Sequence, residues 1–271
     1  MTGIPINARA NGAGVPTLGT APSRRLAHAC DGMPTPGMVG DLRLVEDGRR
    51  IMTIEGDPRS ASPGDLSFAA RIVDEARYTG WTLMAGMGRG VGFKTLRDCA
   101  AHHMPMIGVD ADPRIAYADD THRMGLARLI ADQGLLITMP GAPAGNGMAM
   151  RVRMRLADRI VIVNTPVDGP LVDKARQAAG RGAVVWACPS TPGSWTHGRE
   201  GCDLLIQEGT ARPAHDPKPL FRRTNGLPGE PMTAGELDRL LDRHKVTDPE
   251  ERRFHHAILA RTGRVMGFLT R

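Results

Sequence analysis

From Arg50 onward, short apolar runs alternate with segments whose apolar positions recur at spacings of three and four. The runs Arg50–Glu55, Trp81–Ala85, Met106–Val109, Leu135–Met139, Arg159–Asn164 and Ala183–Cys188 have the length and β-branched content of buried strands. Between them the spacing predicts helices near Gly64–Tyr78, Phe93–His102, Asp120–Asp132, Met148–Ala157 and Pro170–Ala179. In the first of these Leu66, Ala69, Ala70, Val73 and Ala76 form one apolar stripe. Strand–helix alternation of this kind predicts an α/β fold, a doubly wound, mostly parallel sheet with helices on both faces. In such folds ligands sit at the carboxyl ends of the strands. The segments Gly56–Ser62, Gly86–Gly92, Pro140–Gly147 and Thr165–Leu171 each follow a strand end and are expected to line one crevice.

The flanks read differently. Residues 1–49 mix Gly, Pro, Ala and Arg without a sustained period and are expected to form a flexible or loosely packed arm ahead of the α/β domain at 50–212. Arg24 and Arg25 in that arm are read as a solvated pair, with contact to nucleic acid as the alternative. Residues 213–232 are turn-rich and read as a linker. A small helical extension follows at 233–271, opening at a Thr233 cap with Glu236 three residues on and an apolar face of Leu237, Leu240 and Leu241. Its second helix, from Asp248, carries His255 and His256, which read as surface residues.

The densest chemistry lies in Trp81–Val109, where a strand meets four alternating glycines and then a helix. Gly86, Gly88, Gly90 and Gly92 allow the backbone to turn tightly and approach a ligand, and the following helix aims its first N–H groups at the same point. Arg89 adds charge within the loop, and Lys94 follows in the helix. The spacing is neither G-x-G-x-x-G nor a P-loop, because Phe93 separates Gly92 from Lys94. A plain strand–helix turn with spare glycines is the competing reading.

Composition narrows the chemistry. A formal charge of +6 and a pI near 9.6 favour anionic partners, and lysine occurs only at 94, 174, 218 and 245, so the positive charge is almost all arginine. Arg151, Arg153 and Arg155 fall within five residues of one predicted helix, a pattern suited to backbone phosphates, although a solvated face explains any one of them. Only 4% of residues are aromatic, few for a protein that stacks bases. Trp186 reads as core, whereas Phe93 and Trp195 lie near strand-end loops. Cys30, Cys99, Cys188 and Cys202 are scattered, which argues against a zinc site or disulfide framework and for a reducing compartment. His197 with Cys202 supplies two ligands, too few for a metal site. No stretch approaches the roughly 18 apolar residues of a membrane span, and a cytoplasmic protein is expected. Asp57, Asp110, Asp112, Asp119, Asp120, Asp168 and Asp173 lie near loops, where helix capping accounts for most of them. No catalytic constellation and no cofactor motif emerges.

Four stretches, taken in order, resemble the DNA-processing protein A (DprA/Smf) family. IEGDPRSAS at Ile54–Ser62 is similar to its opening strand and G-[ST]-R-x-x-S turn, with the arginine displaced by one position. AGMGRGVG at Ala85–Gly92 is similar to S-G-x-A-R-G-I-D, with Arg89 on the family arginine. IADQGLLITMP at Ile130–Pro140 resembles the stretch before the family's R-N-R helix. The last is Asp168–Ser190 with Gly198–Ala211, similar to S-G-S-L-x-T-A through G-x-N-x-L-I-x-x-G-A. The aspartate and histidine that usually follow R-G fall on Gly92 and Leu96, R-N-R is reduced to Arg151 with Arg153 and Arg155 nearby, and Pro170 and Asp173 replace small hydroxyl residues.

The resemblance implies a Rossmann-like domain that binds single-stranded DNA without being an enzyme, acts as a homodimer and presents DNA to a recombinase. Together with the glycine loop and the arginine cluster, it places the ligand, a DNA strand or a nucleotide phosphate, on Gly56, Arg59, Ser62, Gly86, Gly88, Arg89, Gly90, Lys94, Arg151, Arg153, Asp168 and Gly169. The rival reading is a nucleotide sensor or an enzyme. Thr165–Lys174 resembles the P-G-G-x-G-T-x-x-E loop of the "lonely guy" nucleotide phosphoribohydrolases, but two of its glycines fall on Val167 and Asp168 and its glutamate on Lys174. Molybdenum-cofactor carriers share the glycine-loop layout and form a third possibility.

Overall fold

In a computed structural model the described residues are 24–46, 49–116, 118–139, 147–190, 198–221, 234–243 and 245–262. The chain opens with α1 (Arg24–Ala29), β1 (Gly37–Gly40) and a 3-10 turn at Leu42–Val45. The α/β body runs β2 (Ile51–Gly56), α2 (Pro63–Ala76), β3 (Thr82–Ala85), α3 (Val91–Ala101), β4 (Met106–Ala111), α4 (Pro113–Ala116), α5 (Thr121–Gln133) and β5 (Leu135–Met139). It continues with α6 (Gly147–Leu156), β6 (Arg159–Asn164), α7 (Pro170–Gly180), β7 (Val184–Ala187), α8 (Glu200–Gln207), β8 (Arg212–Pro213) and α9 (Lys218–Phe221). Two helices follow, α10 (Ala234–Arg243) and α11 (Pro249–Thr262).

Among the described residues, eight strands form one sheet in the order β1-β5-β4-β3-β2-β6-β7-β8, parallel throughout except for β1. Alternation along the strands builds a core on each face. Met52, Ile54, Leu83, Ala85, Val161 and Val163 point to the layer packed by α2, α3 and α5. Ile51, Met84, Ile107 and Val109 point the other way, toward α1 and α6, and Ile160, Ile162, Val185 and Ala187 toward α7 and α8. This is the expected doubly wound, Rossmann-like arrangement, with a small helical C-terminal extension whose Leu237 and Leu241 are buried.

Part of the expected arm belongs to the sheet. Residues 37–40 add an antiparallel edge strand to β5, and Leu26, Ala29, Leu44 and Val45 are buried in the core beneath it. Arg25, read as solvated, ties α1 to the carbonyls of Leu156 and Arg49 and pairs with Asp158 at 2.8 Å. Periodicity gives no warning here, because β1 is four residues long with a glycine at each end, and its pairing is tertiary. The first part of the expected linker is docked too: Ala214 and Leu220 are buried, Phe221 meets Trp81 edge to face at 6.4 Å between centroids, and Arg159 lies 4.8 Å over the Trp81 ring. His255, expected at the surface, is buried, whereas His256 lies 2.8 Å from Asp238. Trp186 is in the core, as expected. Residues 140–146 of the third loop, Trp195, His197 and the Thr233 cap lie outside the described residues.

Candidate functional site

Strand order reverses between β2 and β6: β3, β4 and β5 extend the sheet on one side, β7 and β8 on the other. At such a switch point the connecting segments part and leave a gap at the carboxyl ends of the strands. A crevice of about 420 Å³ lies there, walled by the segments after β2, β3 and β6 and by α6. Gly56, Arg59, Gly86, Gly88, Arg89, Arg153, Asp168 and Gly169 all line it.

Its walls are positioned by specific contacts. Asn164, the last residue of β6, donates from its side-chain amide to the Asp57 carbonyl (3.1 Å) and Ser60 Oγ (3.0 Å), which holds the segment after β2. Ser62 caps α2 in a capping box with Asp65, and Arg199 donates to the buried Asp65 carboxylate at 2.5 and 2.9 Å. The glycine loop is pinned by Asp110 at the end of β4, whose carboxylate accepts the Met87 N–H at 2.8 Å. Within the loop, a side chain at Gly92 would collide with the Gly86 carbonyl, and Gly90, at φ +92°, occupies backbone space that favours glycine. Gly88 has nothing within 4 Å of where a Cβ would stand, so packing does not require a glycine there, and it lines the crevice.

Several expected binding residues have other work. Arg153 is buried, donating to the two Glu55 carboxylate oxygens at 2.6 and 2.9 Å and to the Val109 carbonyl at 2.8 Å, so its charge is neutralised from within. Lys94 is ion-paired with Asp98 one helical turn on. The Ser62 hydroxyl is engaged by Asp65. Gly90 faces Pro58 and Ala61, and Arg151 is exposed on α6; neither lines the crevice. Arg155 anchors the segment after α1 through the Asp31 carbonyl at 3.1 Å. The three clustered arginines therefore serve three ends: internal neutralisation, exposure and packing.

Asp57, Thr165 and Pro166, within segments expected to line the crevice, do so, and Glu55 and Asp110, which the sequence did not place there, join them. Glu55 had a signal, since a carboxylate inside a strand that is otherwise apolar, two residues from Thr53, demands a buried partner. The Thr53 hydroxyl donates to it at 2.7 Å. The guanidinium groups of Arg59, Arg89 and Arg153 thus face four carboxylates, those of Glu55, Asp57, Asp110 and Asp168. Arg59 and Arg89 are exposed at the rim, whereas Glu55 and Asp110 are buried and committed to hydrogen bonds. Arg89 stands 81% exposed, 3.8 Å from Asp120. The Asp120 carboxyl is held below its ordinary range chiefly by the Arg123 backbone N–H, and also by the charges of Arg123 and Arg89. Such a crevice can take a phosphate on its rim arginines and hydrogen-bond donors of a base or sugar on the accessible carboxylates of Asp57 and Asp168.

Among the described residues, no group of three His, Cys, Asp or Glu side chains is arranged to hold a metal, and no helix is long and apolar enough to cross a membrane. Burial raises the thiols of Cys99 and Cys202 to about 12, and that of Cys188 also upward, which makes all three poor nucleophiles.

Comparison with solved structures finds DNA processing protein A from Streptococcus pneumoniae, at 17% identity and a TM-score of 0.61 over 73% of this chain and 69% of that one. The single-stranded DNA-binding DNA processing protein A from Helicobacter pylori matches at 17% identity and 0.55 over 71% and 89%. A molybdenum cofactor carrier protein from Chlamydomonas reinhardtii reaches a TM-score of only 0.42 at 17% identity, over 64% and 94%. The first two share this fold. No curated protein matches the sequence. Residues 33–225 match the family DNA recombination-mediator protein A, a span that takes in β1 and the docked segment through α9 as well as the crevice, and the chain belongs to that family.

Proposed function

We propose that the protein binds single-stranded DNA, with one nucleotide unit lodged in the crevice at the β2/β6 switch point. The observation that carries this is the mixed lining: exposed Arg59 and Arg89 at the rim for phosphate, and the accessible carboxylates of Asp57 and Asp168 with the glycine loop for the edge of a base. A paired base has its Watson–Crick edge occupied, so a pocket that reads edges selects an unpaired strand. The family supports the reading, and so does DNA processing protein A from Helicobacter pylori, a protein with a single-stranded DNA binding mode of its own. The family's description as recombination mediators supports a further step, transfer of the bound strand to a recombinase. We further propose, as the motif resemblance implies, that the protein acts as a cytoplasmic homodimer.

A mononucleotide ligand is the second reading, favoured by the size of the crevice, within the roughly 300–1,000 Å³ of small-molecule sites. Fluorescence anisotropy of a labelled single strand, its duplex and competing mononucleotides separates the two. Preference for the single strand, undisturbed by mononucleotides, supports the DNA reading. Displacement of the strand by stoichiometric mononucleotide supports the sensor, and equal binding of duplex contradicts the proposed selectivity.

A further inference from the structure

Beyond the crevice a second groove of about 620 Å³ runs along α3 and α5, and Arg89 lines both. Their electrostatics differ. The crevice sets three guanidinium groups against four carboxylates, whereas the groove sets Arg89, Arg97 and Arg123 against Asp120, which pairs with Arg89 and Arg123 at 3.8 and 3.3 Å, and Asp98, 3.8 Å from Arg97. His122 lies in the same lining. The groove also carries apolar surface where a base could rest: Phe93 is half-buried, and Leu129 is 43% exposed, one of four large hydrophobic residues so exposed among those described. Excess positive charge beside an apolar, partly aromatic wall is the combination that holds an unpaired polynucleotide, phosphates on the guanidinium groups and bases on the wall.

We infer that a single strand seated in the crevice continues over Arg89 into this groove, its phosphates facing Arg89 and Arg97 and one base resting against Phe93 and Leu129. The inference rests on the single-strand reading above and adds the strand's path to it. Arg151, on α6, lies off this path, because it lines neither the crevice nor the groove. A protein partner is disfavoured by the charge, and a free mononucleotide in the crevice would leave the groove empty.

The test uses oligothymidylates of increasing length, from a dinucleotide upward, with wild type and the variants Arg97→Glu and Leu129→Glu, both at exposed positions. Thermal unfolding of each variant shows that the fold is retained. Affinity of the wild type is expected to rise with length once the strand reaches the groove. Each variant should bind the dinucleotide as wild type does and bind longer strands about tenfold more weakly, as expected for one lost stacking or phosphate contact. Full retention of the length-dependent gain by both variants, or no gain in the wild type, overturns the path while leaving the crevice reading intact. Failure of the wild type to bind any oligonucleotide overturns both readings together.

Discussion

Arg153 reaches from α6 to Glu55 at the end of β2 through two N–H···O bonds of 2.6 and 2.9 Å, with both side chains buried. The pair spans the floor of the crevice and joins the helix to the strand at which the sheet reverses direction. A buried carboxylate is tolerated only when it is paired, so this arginine holds the site's shape instead of gripping a phosphate.

Arg153→Ala strands Glu55 without its counter-charge and should destabilise the protein by about 3–5 kcal/mol in urea unfolding. The double variant Glu55→Gln with Arg153→Met should lose markedly less, because no buried charge is left alone. Equal losses would show that packing, not charge, dominates at this position.

How far the sequence foretold this site can be followed along α6. The helix and the strand after it were legible, because Val152 and Leu156 keep helical spacing and Arg159–Asn164 is an unbroken buried run. The functions of its arginines were not: Arg153 finds its partner 98 residues away, a pairing that local pattern does not carry. The same limit hid β1, whose exposed, glycine-bounded strand exists through its pairing with β5. By contrast the segments after β2, β3 and β6 were legible, since turn residues after apolar runs mark the end of the sheet where ligands collect; of the fourth expected segment, residues 140–146 lie outside those described.

The glycines of the loop should separate by variant. Gly92→Ala forces a Cβ against the Gly86 backbone and should cost about 1–3 kcal/mol of stability. Gly88→Ala meets no neighbour and should stay within about 0.5 kcal/mol of wild type, yet weaken DNA binding by filling the crevice. A Gly88→Ala protein with unchanged stability and unchanged binding would remove that segment from the site.

Asp120 titrates below its ordinary value because the folded state stabilises its carboxylate, through the Arg123 N–H first. A depressed folded value means the contribution is present above the unfolded value near 3.9 and is lost as pH falls through the folded one. Asp120→Asn keeps a capping oxygen but removes the titration. Its urea midpoint should therefore fall less steeply than that of wild type between about pH 5 and pH 2. Parallel acid profiles would assign that slope to other carboxylates.

Native-state alkylation at mildly alkaline pH should be slow at Cys99, Cys188 and Cys202, whose buried thiols are all shifted upward. Cys30, half-buried and raised less far by burial, should react first, and all four should react together once the protein is unfolded. Mass mapping of the labelled peptides reads this directly; early labelling of Cys202 would indicate local opening at α8.

We propose that Arg89, standing at the junction of crevice and groove, holds a phosphate of a single DNA strand. Its side chain is mostly exposed and its ion pair with Asp120 is long, so Arg89→Ala should leave stability nearly unchanged. The decisive measurement is the salt dependence of oligothymidylate binding by anisotropy, for wild type and Arg89→Ala. Loss of one phosphate contact predicts weaker binding and a slope of log K against log salt shallower by about 1. An Arg89→Ala protein that binds with wild-type affinity and wild-type slope would contradict the account.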